Sequence, residues 1–103
     1  QWYIHIINAR EEEIDTVLVM SRGNNDEKKT STLRHNLGNI TAKTVTKVEL
    51  ISLDVLSFSN EYWVTYFAGN RLFEKRFFFQ PHDISDKNVV SLPVMDCEGV
   101  LAK

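Results

Sequence analysis

EYWVTYFAGNRLFEKRFFF, residues 61–79, decides the fold. Two runs rich in aromatic and β-branched residues flank Gly69-Asn70, a Gly-X pair suited to a two-residue type II′ hairpin turn. With that pair at the centre, Ala68 faces Arg71, Phe67 faces Leu72, Tyr66 faces Phe73 and Thr65 faces Glu74. Val64 then faces Lys75, Trp63 faces Arg76, and Tyr62 faces Phe77. Side chains alternate across a strand, so these pairs sort onto two faces. One face carries Tyr62/Phe77, Val64/Lys75 and Tyr66/Phe73, the heavier aromatic load, and is the expected core face with Lys75 snorkelling at its margin. The other carries Trp63/Arg76, Thr65/Glu74 and Phe67/Leu72, half apolar and half charged, as in a sheet face partly in water. Phe77 and Phe79 project with the first face and Phe78 with the second, so the triple phenylalanine splits across the strand.

Outward from the hairpin, strand-like segments recur and sustained helical periodicity is missing. WYIHIIN (2–8) and IDTVLVMS (14–21) are short and β-rich, and Trp2, Ile4 and Ile6 share one face. NAREEE between them reads as a polar connection, with Glu11–Glu13 in solvent. RGNNDEKKTS (22–31) is too polar to order itself and reads as a mobile loop. TSTLRHNLGNITAKT (30–44) reads as a strand near Thr30–His35 followed by a turn at Asn36–Asn39, because Gly38 and four threonines oppose a helix. VTKVELISLDVLSF (45–58) reads as a long strand with a fault. Val48 and Leu50 alternate with Lys47 and Glu49, and the apolar phase then flips to Ile51, Leu53 and Val55. A bulge or a sheet-to-sheet corner between Leu50 and Ile51 is expected. NVVSLPVM (88–95) supplies a last strand that Pro93 confines to an edge or cuts short.

Six to eight short strands with polar turns in 103 residues predict an all-β fold. The expected form is an antiparallel β-sandwich, jelly-roll or immunoglobulin-like, with a small OB-like barrel as the alternative. The length suits a single domain over 1–103 and is too short for two. Gln1 in place of an initiating methionine fits a chain processed or excised from a longer one. The formal net charge of -2 gives no long-range attraction to polyanions. Cys97, the only cysteine, rules out an intrachain disulfide and fits a reducing compartment or a fold that needs no staple. No apolar run reaches the length of a membrane span.

Catalytic equipment is not in evidence. His5, His35 and His82 are scattered, and no nucleophile-elbow, phosphate-loop, dinucleotide or zinc-helix motif occurs. Cys97 has no base beside it in sequence and reads as a small buried or idle thiol. PHDISDKN (81–88) gathers His82, Asp83 and Asp86, but lacks the ligand count and glycine of a calcium loop and reads as a turn. A small hydrolase built on His82 and Asp83 carries the least weight. No enzyme activity, cofactor or metal is expected.

The expectation that remains is binding. Trp63, Phe67, Leu72, Arg76 and Phe78 share the half-polar hairpin face, and aromatic residues and arginine are enriched in interface cores. This predicts a non-enzymatic module that binds another protein or assembles with copies of itself. Arg71, Lys75 and Arg76 interleaved with aromatics also suit single-stranded nucleic acid on an OB-like surface, the runner-up. LRHNLGNITAKTVTKVELISLDVLSFSNEYWV (33–64), a strand with alternating core residues, a Ser/Asn turn and an aromatic strand, resembles a run in capsid-associated β-sandwich proteins of double-stranded DNA viruses. It covers about a third of the chain and contains no fixed motif. That resemblance implies a virion or assembly component.

Overall fold

Eight strands and two single 3-10 turns make up the computed structural model, which describes residues 1–103. The strands are β1 (Trp2–Asn8), β2 (Ile14–Asn24), β3 (Leu33–Ile40), β4 (Thr44–Ile51), β5 (Ser59–Ala68), β6 (Arg71–Phe79), β7 (Val90–Ser91) and β8 (Glu98–Gly99). All pairings are antiparallel: β3-β2-β5-β6 form one sheet, β1-β4 a second layer and β7-β8 a short hairpin. Hydrogen bonding does not run round a closed barrel. The architecture is an all-β sandwich in which β1 and β4 cover the inner face of the four-stranded sheet.

The core follows from alternation along β5, where Asn60, Tyr62, Val64, Tyr66 and Ala68 are buried and the residues between them are not. The β5–β6 register is the one read from the sequence, from Ala68↔Arg71 to Tyr62↔Phe77, extended by Glu61↔Phe78 and Asn60↔Phe79. Tyr66 stacks on Phe73 at 5.5 Å, and Tyr62 meets Phe79 edge-on at 6.3 Å. Val17, Val19, Ile14, Ile40, Ile51 and Ile84 complete the buried cluster, with Trp2, Ile4 and Ile6 of β1 packed against it. The turn differs from expectation. Gly69 and Asn70 both have positive φ (56 and 66), so it is type I′, because a type II′ turn needs φ above zero only at the first position.

Three loop and strand readings are corrected by pairings invisible along the chain. β2 continues to Asn24, and the segment beyond it is a tied turn: Asn25 Oδ1 accepts from the backbone N–H of Glu27 and Lys28, and Asn24 bridges Lys29. Residues 36–39 are strand. Pairing with β2 carries β3 through Gly38, whose φ of 64 absorbs the irregular register opposite Val17. The phase fault in 45–58 is the end of a strand, since β4 stops at Ile51 and Leu53–Val55 is a 3-10 turn. The bulge in β4 is at Val48, the extra residue between Lys47↔His5 and Glu49↔Ile4, while Leu50 is exposed. A second bulge rephases β2 at Thr16 (φ 51), so that Ile14 and Val17 both point inward. The 88–95 strand is reduced to Val90–Ser91, just before the turn that holds Pro93.

Between the layers lies the Glu49 side chain, 15% exposed. Its Oε1 accepts from Ser21 Oγ (2.9 Å) and lies 2.8 Å from His35 Nε2, and its Oε2 accepts from Tyr62 Oη (3.1 Å). Burial, then the Glu49 charge and the hydrogen bond to it, push the Tyr62 hydroxyl far above the ordinary tyrosine range.

Two outcomes test this framework. Gly69→Ala should cost about 1 kcal/mol in urea unfolding, because an L side chain resists positive φ, whereas Asn70→Gly should cost nothing measurable. The raised Tyr62 pKa contributes stability below the unfolded tyrosine value of about 10 that is lost as pH rises beyond it. Urea midpoints measured from about pH 8 to about pH 11 should therefore fall, and fall less steeply in Tyr62→Phe.

Candidate functional site

The outer face of the four-stranded sheet is built by the residues that β2, β5 and β6 leave on the side opposite the core. On β5 these are Glu61, Trp63, Thr65 and Phe67, and on β6 they are Phe78, Arg76, Glu74 and Leu72, in that pairing order. β2 adds Arg22 beside Glu61, Met20 beside Trp63 and Leu18 beside Thr65. No second layer covers this side. Leu18 is 44% exposed, Phe67 37% and Leu72 63%.

At one end the face is tightly organised. The Arg76 guanidinium lies 5.6 Å from the Trp63 ring centroid and 5.5 Å from that of Phe78, held between two aromatic rings. The same guanidinium donates to Glu61 Oε1 at 3.1 Å. Glu61 Oε2 accepts from Trp63 Nε1 at 3.3 Å and from Arg22 Nη2 at 3.4 Å. Glu61 is thus the hub of the cluster, its side chain 12% exposed while both arginines are about half exposed. Partial desolvation acts to raise its pKa. The hydrogen bonds from Arg76 and Trp63 and the charges of Arg76 and Arg22 outweigh that and hold the carboxyl below the usual glutamate value.

Three of the five residues expected on this face, Trp63, Arg76 and Phe78, form one cluster. Phe67 and Leu72 face each other near the turn, separated from the cluster by the Thr65–Glu74 pair. Sequence reasoning missed Glu61, Arg22 and Met20. Glu61 had a signal, since it stands two residues before Trp63 and so shares its face. Arg22 and Met20 had none, because their place depends on β2 lying beside β5.

The protein matches no family model, no curated protein and no solved structure. Function is read from the chemistry of its surfaces.

Other polar groups form different arrangements. Ser21 and His35 both bond to Glu49, so the hydroxyl has a carboxylate as its partner and no imidazole, and the group acts as a cross-link between layers. The 81–88 segment is a turn in which Asp83 Oδ2 accepts from the Gln80 N–H (2.8 Å) and pairs with Lys103 (3.3 Å). No group of three or more His, Cys, Asp or Glu side chains is placed to hold a metal ion, and Cys97 is exposed. No helix is long and apolar enough to cross a membrane.

The depressed Glu61 pKa carries a test. Stability from the charged carboxylate is present above the ordinary glutamate pKa and is lost as pH falls through the lower folded value. Glu61→Gln should lower unfolding free energy by about 1 kcal/mol near pH 7, a figure kept small by the exposure of both arginines. The difference from wild type should vanish near pH 2, and salt should reduce it.

Proposed function

We propose that this chain is a non-enzymatic β-sandwich module that assembles with a second copy of itself through the outer face of its four-stranded sheet, as a structural or assembly component. The observation that carries this reading is the Trp63–Arg76–Phe78 stack locked by Glu61. Aromatic and arginine anchors held in one geometry before binding lose little conformational entropy on association, which is how interface hot spots work. The exposed Leu18, Phe67 and Leu72 extend the apolar contact beyond the stack.

The charges favour a copy of the chain over a polyanion. Both signs occur on the face, with Arg22 and Arg76 bonded to Glu61 and with Glu74 two residues along β6 from Arg76, so a two-fold partner can set one sign against the other. Arg76, stacked on Trp63, and Arg22 already share the Glu61 carboxylate, which leaves them poorly placed to neutralise phosphates. Single-stranded nucleic acid therefore stands second.

Sedimentation velocity over a range of concentrations should show reversible association of the wild-type chain. Trp63→Ala and Arg76→Ala should each weaken it at least tenfold. A chain that stays monomeric at high concentration overturns the reading. Salt-sensitive quenching of tryptophan fluorescence by a single-stranded oligonucleotide would put nucleic acid in its place.

A further inference from the structure

We infer that the edge of β1 is a receptor for one extended peptide strand, supplied by a flexible segment of a partner protein with apolar side chains at alternate positions. This site lies on the other layer of the sandwich and does not depend on the outer-face reading.

A cavity of about 520 Å³ runs along β1. Tyr3, His5 and Ile7 line it as well as Trp2, Ile4 and Ile6. Residues from both faces of one strand can border the same cavity only if it follows the strand's edge. The inner face of the large sheet contributes Val64, Phe77 and Phe79, and the C-terminal segment closes the far side with Leu92, Val100 and Ala102.

The edge itself is unpaired. β1 bonds to β4 on one side, and no other backbone hydrogen bond reaches it. Alternate N–H and C=O groups along its seven residues, roughly 23 Å, therefore point into an apolar groove. A purely hydrocarbon ligand would bury those groups without partners, at several kcal/mol for each. A β-strand would satisfy them and lay its alternate side chains on Phe77 and Phe79. Residues of the 92–102 segment line the same cavity as β1, so an added strand must share the space with them, which suits a single segment better than the rim of a second sheet. The occupant is thus a free extended segment.

The edges of β3, β4 and β6 are defended and this one is not. β6 carries Lys75 on its core side and is bridged at Phe78 by the backbone of Lys103 (3.1 and 3.0 Å). β4 has Lys47 and the Val48 bulge, and β3 has Arg34 and the left-handed Gly38. Inward charges, bulges and covering segments are the usual means of blocking strand addition. WYIHIIN has no lysine, arginine, carboxylate or proline.

The test uses a lysine-flanked peptide of alternating threonine and valine, titrated into the full chain and followed by hydrogen exchange of backbone amides. Saturable binding with protection of β1 amides is expected. A peptide N-methylated at alternate bonds, and one with its valines grouped together, should each bind at least tenfold more weakly. Ala102→Phe, which fills the groove, should weaken binding by a similar factor. Should that variant fail to fold, the N-methylated comparison on the wild-type chain decides alone. Equal binding of the N-methylated peptide, or no binding of any peptide, overturns the proposal. Protection by dodecanoate in place of the peptide overturns it too and assigns the cavity to a small apolar ligand.

Discussion

A carboxylate held largely out of water between two layers of sheet must collect donors, and Glu49, 15% exposed, does so. Glu49 projects from β4 onto the inner face of the large sheet and finds Ser21 on β2, His35 on β3 and Tyr62 on β5. A carboxylate largely withdrawn from water is tolerated when its oxygens are hydrogen-bonded. Donors from three strands meet that condition at one relative placement of the layers. Apolar packing alone is non-directional and would allow the β1–β4 pair to slide over the sheet. The Glu49 network adds a directional tie between the layers to the packing of Trp2, Ile4 and Ile6 on the core.

The β5–β6 hairpin then serves both sides of the sheet. Its inward residues, Tyr62, Tyr66, Phe73 and Phe79, pair through edge-on and stacked rings. Its outward residues make the Trp63–Arg76–Phe78 cluster around Glu61. Two glutamates thus organise opposite faces of one hairpin by the same rule, that a carboxylate held from water must collect donors. Glu49 collects neutral hydroxyls and a histidine, and joins layers. Glu61 collects two arginines and an indole N–H, and holds a surface in shape. On β5 that surface rests directly on the core, because Glu61, Trp63, Thr65 and Phe67 alternate with the buried Asn60, Tyr62, Val64, Tyr66 and Ala68.

Much of this was legible along the chain. The hairpin register and the split of Phe77, Phe78 and Phe79 follow from a two-residue turn and a period of two, which are local properties. That Trp2, Ile4 and Ile6 share one face of β1 was legible for the same reason, and the packing shows that this face is the inward one. Errors arose where partners remote in sequence set the backbone. Residues 36–39 look like a turn because glycine and asparagine favour turns, yet pairing with β2 holds them in a strand. The apolar residues after Ile51 look like more strand, but nothing pairs with them there, and they fold into a 3-10 turn. Thr16 in a left-handed conformation has no local sign, since threonine is a poor residue for positive φ and only the pairing of β2 with two neighbours places it there.

The sequence by itself determined that the fold is all-β, which residues of the central hairpin point to the core, and that aromatic residues and arginine gather on its other face. These rest on alternation and turn geometry, which act over a few residues. Only the tertiary structure decided that Glu61 bridges Arg22 and Arg76, that Glu49 joins the layers, and that β1 keeps a bare edge beside an apolar groove. Each of those depends on which strands become neighbours. Strand order comes from long-range packing, and no pattern within a single strand encodes it.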